Sequence, residues 1–163
     1  MRCCSVGRIE KICFDLKDQE ATLDFGQKLA RLLMRSAEYP TVMFRGPLGA
    51  GKTTMIRGIV SGLPGGAEAE VSSPSFNILN IYPTTPETAH FDLYRLEGAG
   101  LDPESEDILF EGNRLVLVEW SELLPARLMP EQALVLEIQI KKDHRVVQLS
   151  SVGQVQLDLE SIG

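Results

Sequence analysis

Polar and apolar residues alternate through Glu10-Lys11-Ile12-Cys13-Phe14-Asp15-Leu16, the pattern of a half-buried strand. The period then lengthens. Asp18 stands as an N-cap, and Leu23, Phe25, Leu29, Ala30 and Leu33 fall on one helical stripe, which Pro40 closes. Thr41-Val42-Met43-Phe44 is a short β-prone run, and soon after it Met55, Ile56, Ile59 and Val60 mark a second helical stripe. Gly62-Leu63-Pro64-Gly65-Gly66 breaks the chain. Residues 77–82 and 89–96 read as strands, with 83–87 as a turn between antiparallel partners, and 97–111 as a loop and short helix. Leu115-Val116-Leu117-Val118 is the purest buried-strand signal and runs into Glu119-Trp120, after which Ser121 can cap a short segment at 122–128. Residues 134–140, 145–149 and 155–159 alternate as three further strands. The pattern predicts one α/β domain over residues 1–163, with a loose leader at 1–9, a parallel core and antiparallel additions.

Between the second strand-like run and the second helical stripe stands Gly46-Pro47-Leu48-Gly49-Ala50-Gly51-Lys52-Thr53-Thr54, a complete G-x-x-x-x-G-K-[ST] motif. Chance supplies that pattern in on the order of one in a hundred chains of this length. A strand before it and a helix after it are the context that a phosphate loop requires. Gly46, Gly49 and Gly51 let successive backbone N–H groups, including those of Leu48, Ala50 and Thr54, form an anion nest. A helix beginning near Lys52 adds its positive dipole end. Lys52 supplies a point charge for the β and γ phosphates, and Thr53 a hydroxyl for Mg²⁺. The fold class expected is therefore a three-layer, P-loop NTPase-like α/β structure with a mixed sheet.

Composition narrows the partners. The chain is 44% hydrophobic and 24% charged, ordinary for a globular fold, and no apolar run reaches the length of a membrane span or signal peptide. A cytoplasmic location is expected. A net charge of −7 opposes direct grip on a phosphate backbone, so any nucleic acid is expected to be held mostly by a partner. Cys3, Cys4 and Cys13 match neither a disulfide framework nor a zinc pattern and read as free thiols.

A phosphate loop needs an acid at the end of a neighbouring buried strand to hold Mg²⁺, directly or through water. Glu119 fits best, with an acid marking a strand's exit into solvent as the plain alternative. Asp92 is the second candidate, for metal or for orienting the attacking water, against a turn-proximal surface acid. Ser73 and Ser75 flank Pro74 in a hydroxyl-bearing segment that reads as a loop, although such segments can order over a γ-phosphate. Trp120 reads as a core aromatic, with stacking or a partner-facing role as the alternative. His90 reads as a packed strand residue rather than a catalyst.

In order and spacing, G-P-L-G-A-G-K-T-T, V-S-S-P-S-F, H-F-D-L-Y-R-L and L-V-E-W resemble the bacterial tRNA threonylcarbamoyladenosine biosynthesis ATPase family (TsaE, formerly YjeE). D-Q-E-A-T-L-D-F-G is similar to that family's opening helix, and the resemblance spans about residues 18–122. It implies an ATPase that assists N6-threonylcarbamoyladenosine formation at position 37 of tRNA. Its partners would be a heterodimer of a TsaD-like transferase and a TsaB-like companion, with tRNA met only indirectly. By position it implies Thr53 and Glu119 as Mg²⁺ contacts, residues 48–53 with Lys52 as the phosphate grip, and Asp92 as a catalytic or metal-linked acid. It further implies Gln19 to Thr22 near the adenine, Ser73, Ser75 and Phe76 in a switch-like segment, and Trp120 as an activity-relevant aromatic.

The chain departs from the family pattern at Pro47, where an acid is usual, at Ser75 for Thr, and at Ser121 where Pro is frequent. None of these removes a phosphate or metal ligand. A small-molecule kinase is a rival, weakened because Arg95, Arg114 and Arg127 are dispersed rather than clustered as in a phosphoryl lid. A GTPase lacks its N-K-x-D motif here. The rival from another class is a non-hydrolysing nucleotide switch that controls assembly.

Overall fold

The most apolar runs of the chain become the centre of one mixed sheet. The computed structural model describes residues 11–74, 77–96, 98, 100–155 and 157–162. The leader with Cys3 and Cys4, and Ser75 and Phe76, lie outside the described residues. In chain order the elements are β1 (Ile12–Leu16), α1 (Gln19–Leu33), β2 (Thr41–Arg45), α2 (Lys52–Gly62), β3 (Leu79–Tyr82), β4 (Thr88–Asp92), α3 (Pro103–Phe110), β5 (Leu115–Glu119), β6 (Ala133–Ile140) and β7 (Arg145–Val152). The sheet order is β1-β7-β6-β2-β5-β4-β3. Strands β6, β2, β5 and β4 run parallel, while β7, β1 and β3 join antiparallel.

Alternation along each central strand divides the core into two layers. Val42, Phe44, Leu115, Leu117, Leu134 and Leu136 pack with the buried stripes of α1 and α2. Ala89, Phe91, Val116 and Val118 face the other way and pack with Leu101, Leu109, Leu124 and Leu128 around α3. Helices thus cover both faces, which a largely parallel, doubly buried sheet demands. Asp18 caps α1, its side chain accepting from Ala21 N, as its sequence position predicts.

Helices α1 and α2 pack backbone to backbone. A Cβ at Gly58 would lie 2.4 Å from the carbonyl oxygen of Leu23. Alanine gains about 1 kcal/mol in helix propensity over glycine, but overpacking against backbone costs about 1–3 kcal/mol. The obstacle is not a flexible side chain, so the clash wins. Gly58→Ala is expected to cost up to about 2 kcal/mol of stability, seen as a lower urea midpoint at unchanged slope. A raised midpoint would mean that α1 moves aside freely.

Four expectations are corrected. The described residues of the 155–159 segment, 155 and 157–159, lie in no strand. Instead the chain bends at Gly153-Gln154 after β7 and ends in a 3₁₀ turn, Leu159–Ile162. Ile162 is buried in the core layer that holds α1, and Val155, Leu157 and Leu159 pack partly buried against it, so packing on helix and sheet replaces strand pairing. The strand expected at 89–96 is β4 and stops at Asp92, whose Oδ1 accepts from Tyr94 N and turns the chain. Ser121 does not cap a segment over 122–128. Trp120 holds the cap position, and two 3₁₀ turns, Ser121–Leu123 and Ala126–Leu128, follow with Pro125 between them. The strand predicted from Asn77 begins at Leu79, where pairing with Phe91 of β4 starts.

Candidate functional site

Three of the parallel strands end at one place. Strand β2 delivers the glycine-rich loop, β5 ends in Glu119 and β4 ends in Asp92, with Asp92 and Glu119 paired in register. Ligands of open α/β sheets collect at the carboxyl ends of such strands. A cavity of about 390 Å³ opens there, lined by residues 48–54 together with Ser73, Asp92, Tyr94, Arg95, Glu119 and Trp120.

The loop follows from its glycines. Gly46, Gly49 and Gly51 all have positive φ, and a Cβ on Gly46 would meet Ile138 O at 2.5 Å. Helix α2 then starts at Lys52, so its unpaired N–H groups face the cavity. Lys52 is 4% exposed. Its Nζ donates to Gly46 O at 2.7 Å and Pro47 O at 2.9 Å, and stands 3.8 Å from the centroid of the Trp120 ring. Burial pushes the Lys52 ammonium below its usual range, opposed by the negative charges of Glu119, Glu122 and Asp92. A phosphate arriving at the loop would reverse that penalty.

Thr53 Oγ1 donates to Glu119 Oε1 at 2.8 Å, joining the loop hydroxyl to the strand acid. Asp92 is 5% exposed, so it is not a surface acid. Its Oδ2 accepts from Ser73 Oγ, and its Oδ1 from Tyr94 N. Ser73 therefore does touch the site. Trp120 is half-buried rather than a core residue, and it is the one non-glycine residue with positive φ (56°) among those described. That turn carries its ring back over Lys52 and against Tyr94, at 4.8 Å between ring centroids.

A second cavity of about 250 Å³ shares Gly49, Gly51 and Thr54 with the first. Asp18, Gln19, Thr22 and Arg145 complete its lining. Gln19 and Thr22 are thus brought to the loop. Three residues escaped the sequence reading as members of the site. Tyr94 and Arg95 lie inside a recognised motif that could have flagged them, whereas Arg145 had no local signal. It arrives because β7 pairs with β1 at Leu16, just before α1.

The chain's likeness to known proteins agrees with this geometry. The family model described as threonylcarbamoyl adenosine biosynthesis protein TsaE matches residues 16–148. The tRNA threonylcarbamoyladenosine biosynthesis protein TsaE of Haemophilus influenzae is 32% identical over 149 residues, covering 86% of this chain and 90% of that protein. The protein of the same name from Streptomyces coelicolor is 42% identical over 105 residues, 61% of this chain and 66% of that one. The crystal structure of Bacillus subtilis YdiB superposes with a TM-score of 0.71 at 23% identity, over 91% of this chain and 90% of that one, a likeness of fold. Because the family model runs from the end of β1 into β7, and so spans the loop, both acids and the cavity between them, the chain belongs to the TsaE family.

Proposed function

We propose that this protein is a P-loop ATPase. It binds and hydrolyses ATP with Mg²⁺ in support of N6-threonylcarbamoyladenosine formation at position 37 of tRNA. The observation that carries the reading is the convergence of Lys52, the Thr53–Glu119 pair and Asp92 on one cavity at a helix N-terminus. Lys52 and the N–H groups of residues 48–54 hold the phosphates, and Gln19 and Thr22 face the adenine from the adjoining cavity.

The donors present fit Mg²⁺. Thr53 offers a hydroxyl and Glu119 a carboxylate, with Asp92 beside them, all hard oxygen donors. Among the described residues no cluster of three or more His, Cys, Asp or Glu side chains could cage a metal. A cation that arrives on phosphates keeps much of its water and needs few protein donors. When bound, Mg²⁺ would neutralise charge on the β and γ phosphates. Asp92, fixed by Ser73 and by the Tyr94 amide, is placed to accept from and align an attacking water, or to hold a metal-bound one.

The transfer of the threonylcarbamoyl group belongs to the partner, a TsaD-like transferase with its TsaB-like companion. Tight contact with tRNA is left to that heterodimer, in keeping with a net charge of −7. We place the protein in the cytoplasm; no helix among the described residues is long and apolar enough to cross a membrane.

One observation favours a second reading, a nucleotide-controlled assembly switch with little turnover. Lys52 is held by its own loop carbonyls and by Trp120, so ATP must displace those contacts before the grip closes. The kinase reading loses ground, because Arg114 and Arg127 line a different groove, with Phe110 and Met129. Phosphate release from ATP and Mg²⁺ separates the readings, measured alone and with the protein's own TsaB–TsaD heterodimer, with Lys52→Ala as blank. We expect stimulation by the heterodimer that is absent in the blank. ATP-dependent binding to the heterodimer without stimulation would favour the switch, and release only with an added acceptor would favour a kinase.

A further inference from the structure

Glu119 is 3% exposed, and a carboxylate so far from water needs donors. Among the described residues both of its donors meet one oxygen. Thr53 Oγ1 donates to Oε1 at 2.8 Å, and His90 Nε2 lies 2.9 Å from the same atom. An ionised carboxylate only accepts, so Nε2 carries the hydrogen. The other ring nitrogen, Nδ1, lies 3.2 Å from the Tyr82 hydroxyl. Burial pushes the Tyr82 phenol up, so that hydroxyl keeps its one hydrogen, shared between Nδ1 and the Ser72 carbonyl oxygen at 3.4 Å. Both nitrogens of a fully buried imidazole then have assigned partners, and the ring cannot rotate without breaking both bonds.

Strand pairing sets up this contact. His90 and Asp92 share one face of β4, and β4 lies beside β5 with Asp92 opposite Glu119 and His90 opposite Leu117. A buried histidine that merely filled space would need any two partners. This one takes the acid that also holds the loop hydroxyl. Thr53 gives its hydrogen to Oε1, which leaves its lone pairs for a cation. Oε2 of Glu119 takes no hydrogen bond among the described residues.

We propose that His90 is a positioning residue for Glu119. Its Nε2–H fixes Oε1 against Thr53 and leaves Oε2 free to meet a hydrated divalent cation, while Tyr82 holds the imidazole from behind. The inference rests on reading this cavity as a site for ATP and Mg²⁺. It gives a histidine that contacts neither nucleotide nor reacting atoms a role in metal affinity, as supporting groups have in other metal sites.

The test is ATP binding by equilibrium dialysis with the full chain, once in EDTA and once across a Mg²⁺ titration. Wild type is compared with His90→Leu, His90→Gln and Tyr82→Phe. In EDTA all four are expected to bind ATP within about threefold of one another. The Mg²⁺ midpoint is expected to rise about tenfold or more in His90→Leu. In His90→Gln, whose amide restores a donor near the Nε2 position, it should return to within about threefold of wild type. On a Glu119→Ala background, His90→Leu should add nothing further. Equal weakening in both arms without rescue by Gln would overturn the proposal, because that is what loss of packing does. An unchanged midpoint in His90→Leu would overturn it too. Should His90→Leu fail to fold, Tyr82→Phe decides: a raised midpoint supports the proposal and an unchanged one overturns it. Wild-type protein that binds no ATP, or binds it without any effect of Mg²⁺, overturns the underlying reading and the proposal with it. That failure is visible in wild type alone.

Discussion

Lys52→Ala is expected to abolish tight ATP binding while leaving the apo protein folded. The ammonium sits at the head of α2 with its charge already removed from water, so it meets phosphate with little screening. Truncating one partner of a desolvated, hydrogen-bonded charge pair costs about 2–5 kcal/mol. That corresponds to a loss between about thirtyfold and a few thousandfold in affinity. The apo fold has less at stake. Deletion removes two hydrogen bonds to loop carbonyls and the contact with Trp120, but it also relieves the burial of a charge. These opposing effects leave apo stability within about 1–2 kcal/mol of wild type. Calorimetric titration with ATP and a thermal melt check the two halves separately. ATP affinity equal to wild type in a folded Lys52→Ala protein would take the lysine out of the phosphate site.

Glu119→Ala is expected to separate binding from turnover. The loop amides and Lys52 remain, so metal-free ATP should bind within about threefold of wild type. Without Glu119, burial lowers the Lys52 ammonium further, since Glu119 is the largest of the charges opposing that shift. The phosphates replace the missing negative charge once ATP is bound, so the effect on affinity is small. Turnover with Mg²⁺ should fall about a hundredfold or more, the scale on which removal of one preorganised transition-state contact acts. Glu119→Gln keeps an acceptor for Thr53 and makes the stricter variant, because it deletes charge without deleting the hydrogen bond. Mg²⁺-dependent phosphate release at the wild-type rate in either variant would remove Glu119 from the metal site.

Much of the molecule was legible in the sequence, because the relevant signals are local. Contiguous residues dictate the loop between β2 and α2: glycines supply the positive φ values, and the flanking strand and helix follow from periodicity. The four aliphatic residues before Glu119 predict a strand buried on both faces, which is what β5 is. Asp18 and the α1 stripe were equally plain. Leu23 is the exception in that stripe, only half-buried, because the close approach of α1 to α2 runs through Gly26 and Gly58 instead.

Periodicity reports which residues of a strand share a face, but not which strand lies next to it. The order β6-β2-β5-β4 alone sets Asp92 opposite Glu119 and brings His90 onto the acid's oxygen. From sequence, His90 was a packing residue and Asp92 the second candidate acid, set against a turn-proximal surface acid. The left-handed turn at Trp120 places an indole over Lys52, a contact that no pattern of apolar residues encodes. Arg145 reaches the loop only because β7 folds back along β1. Residues 155–159 alternate like a strand, yet those described lie in none, since Val155, Leu157 and Leu159 pack partly buried against the core without a ladder. The sequence by itself determined the phosphate loop and its strand acid, because backbone conformation and burial follow from neighbours in the chain. Only the tertiary structure decided what surrounds that acid, because contacts between strands depend on order and register across the whole sheet.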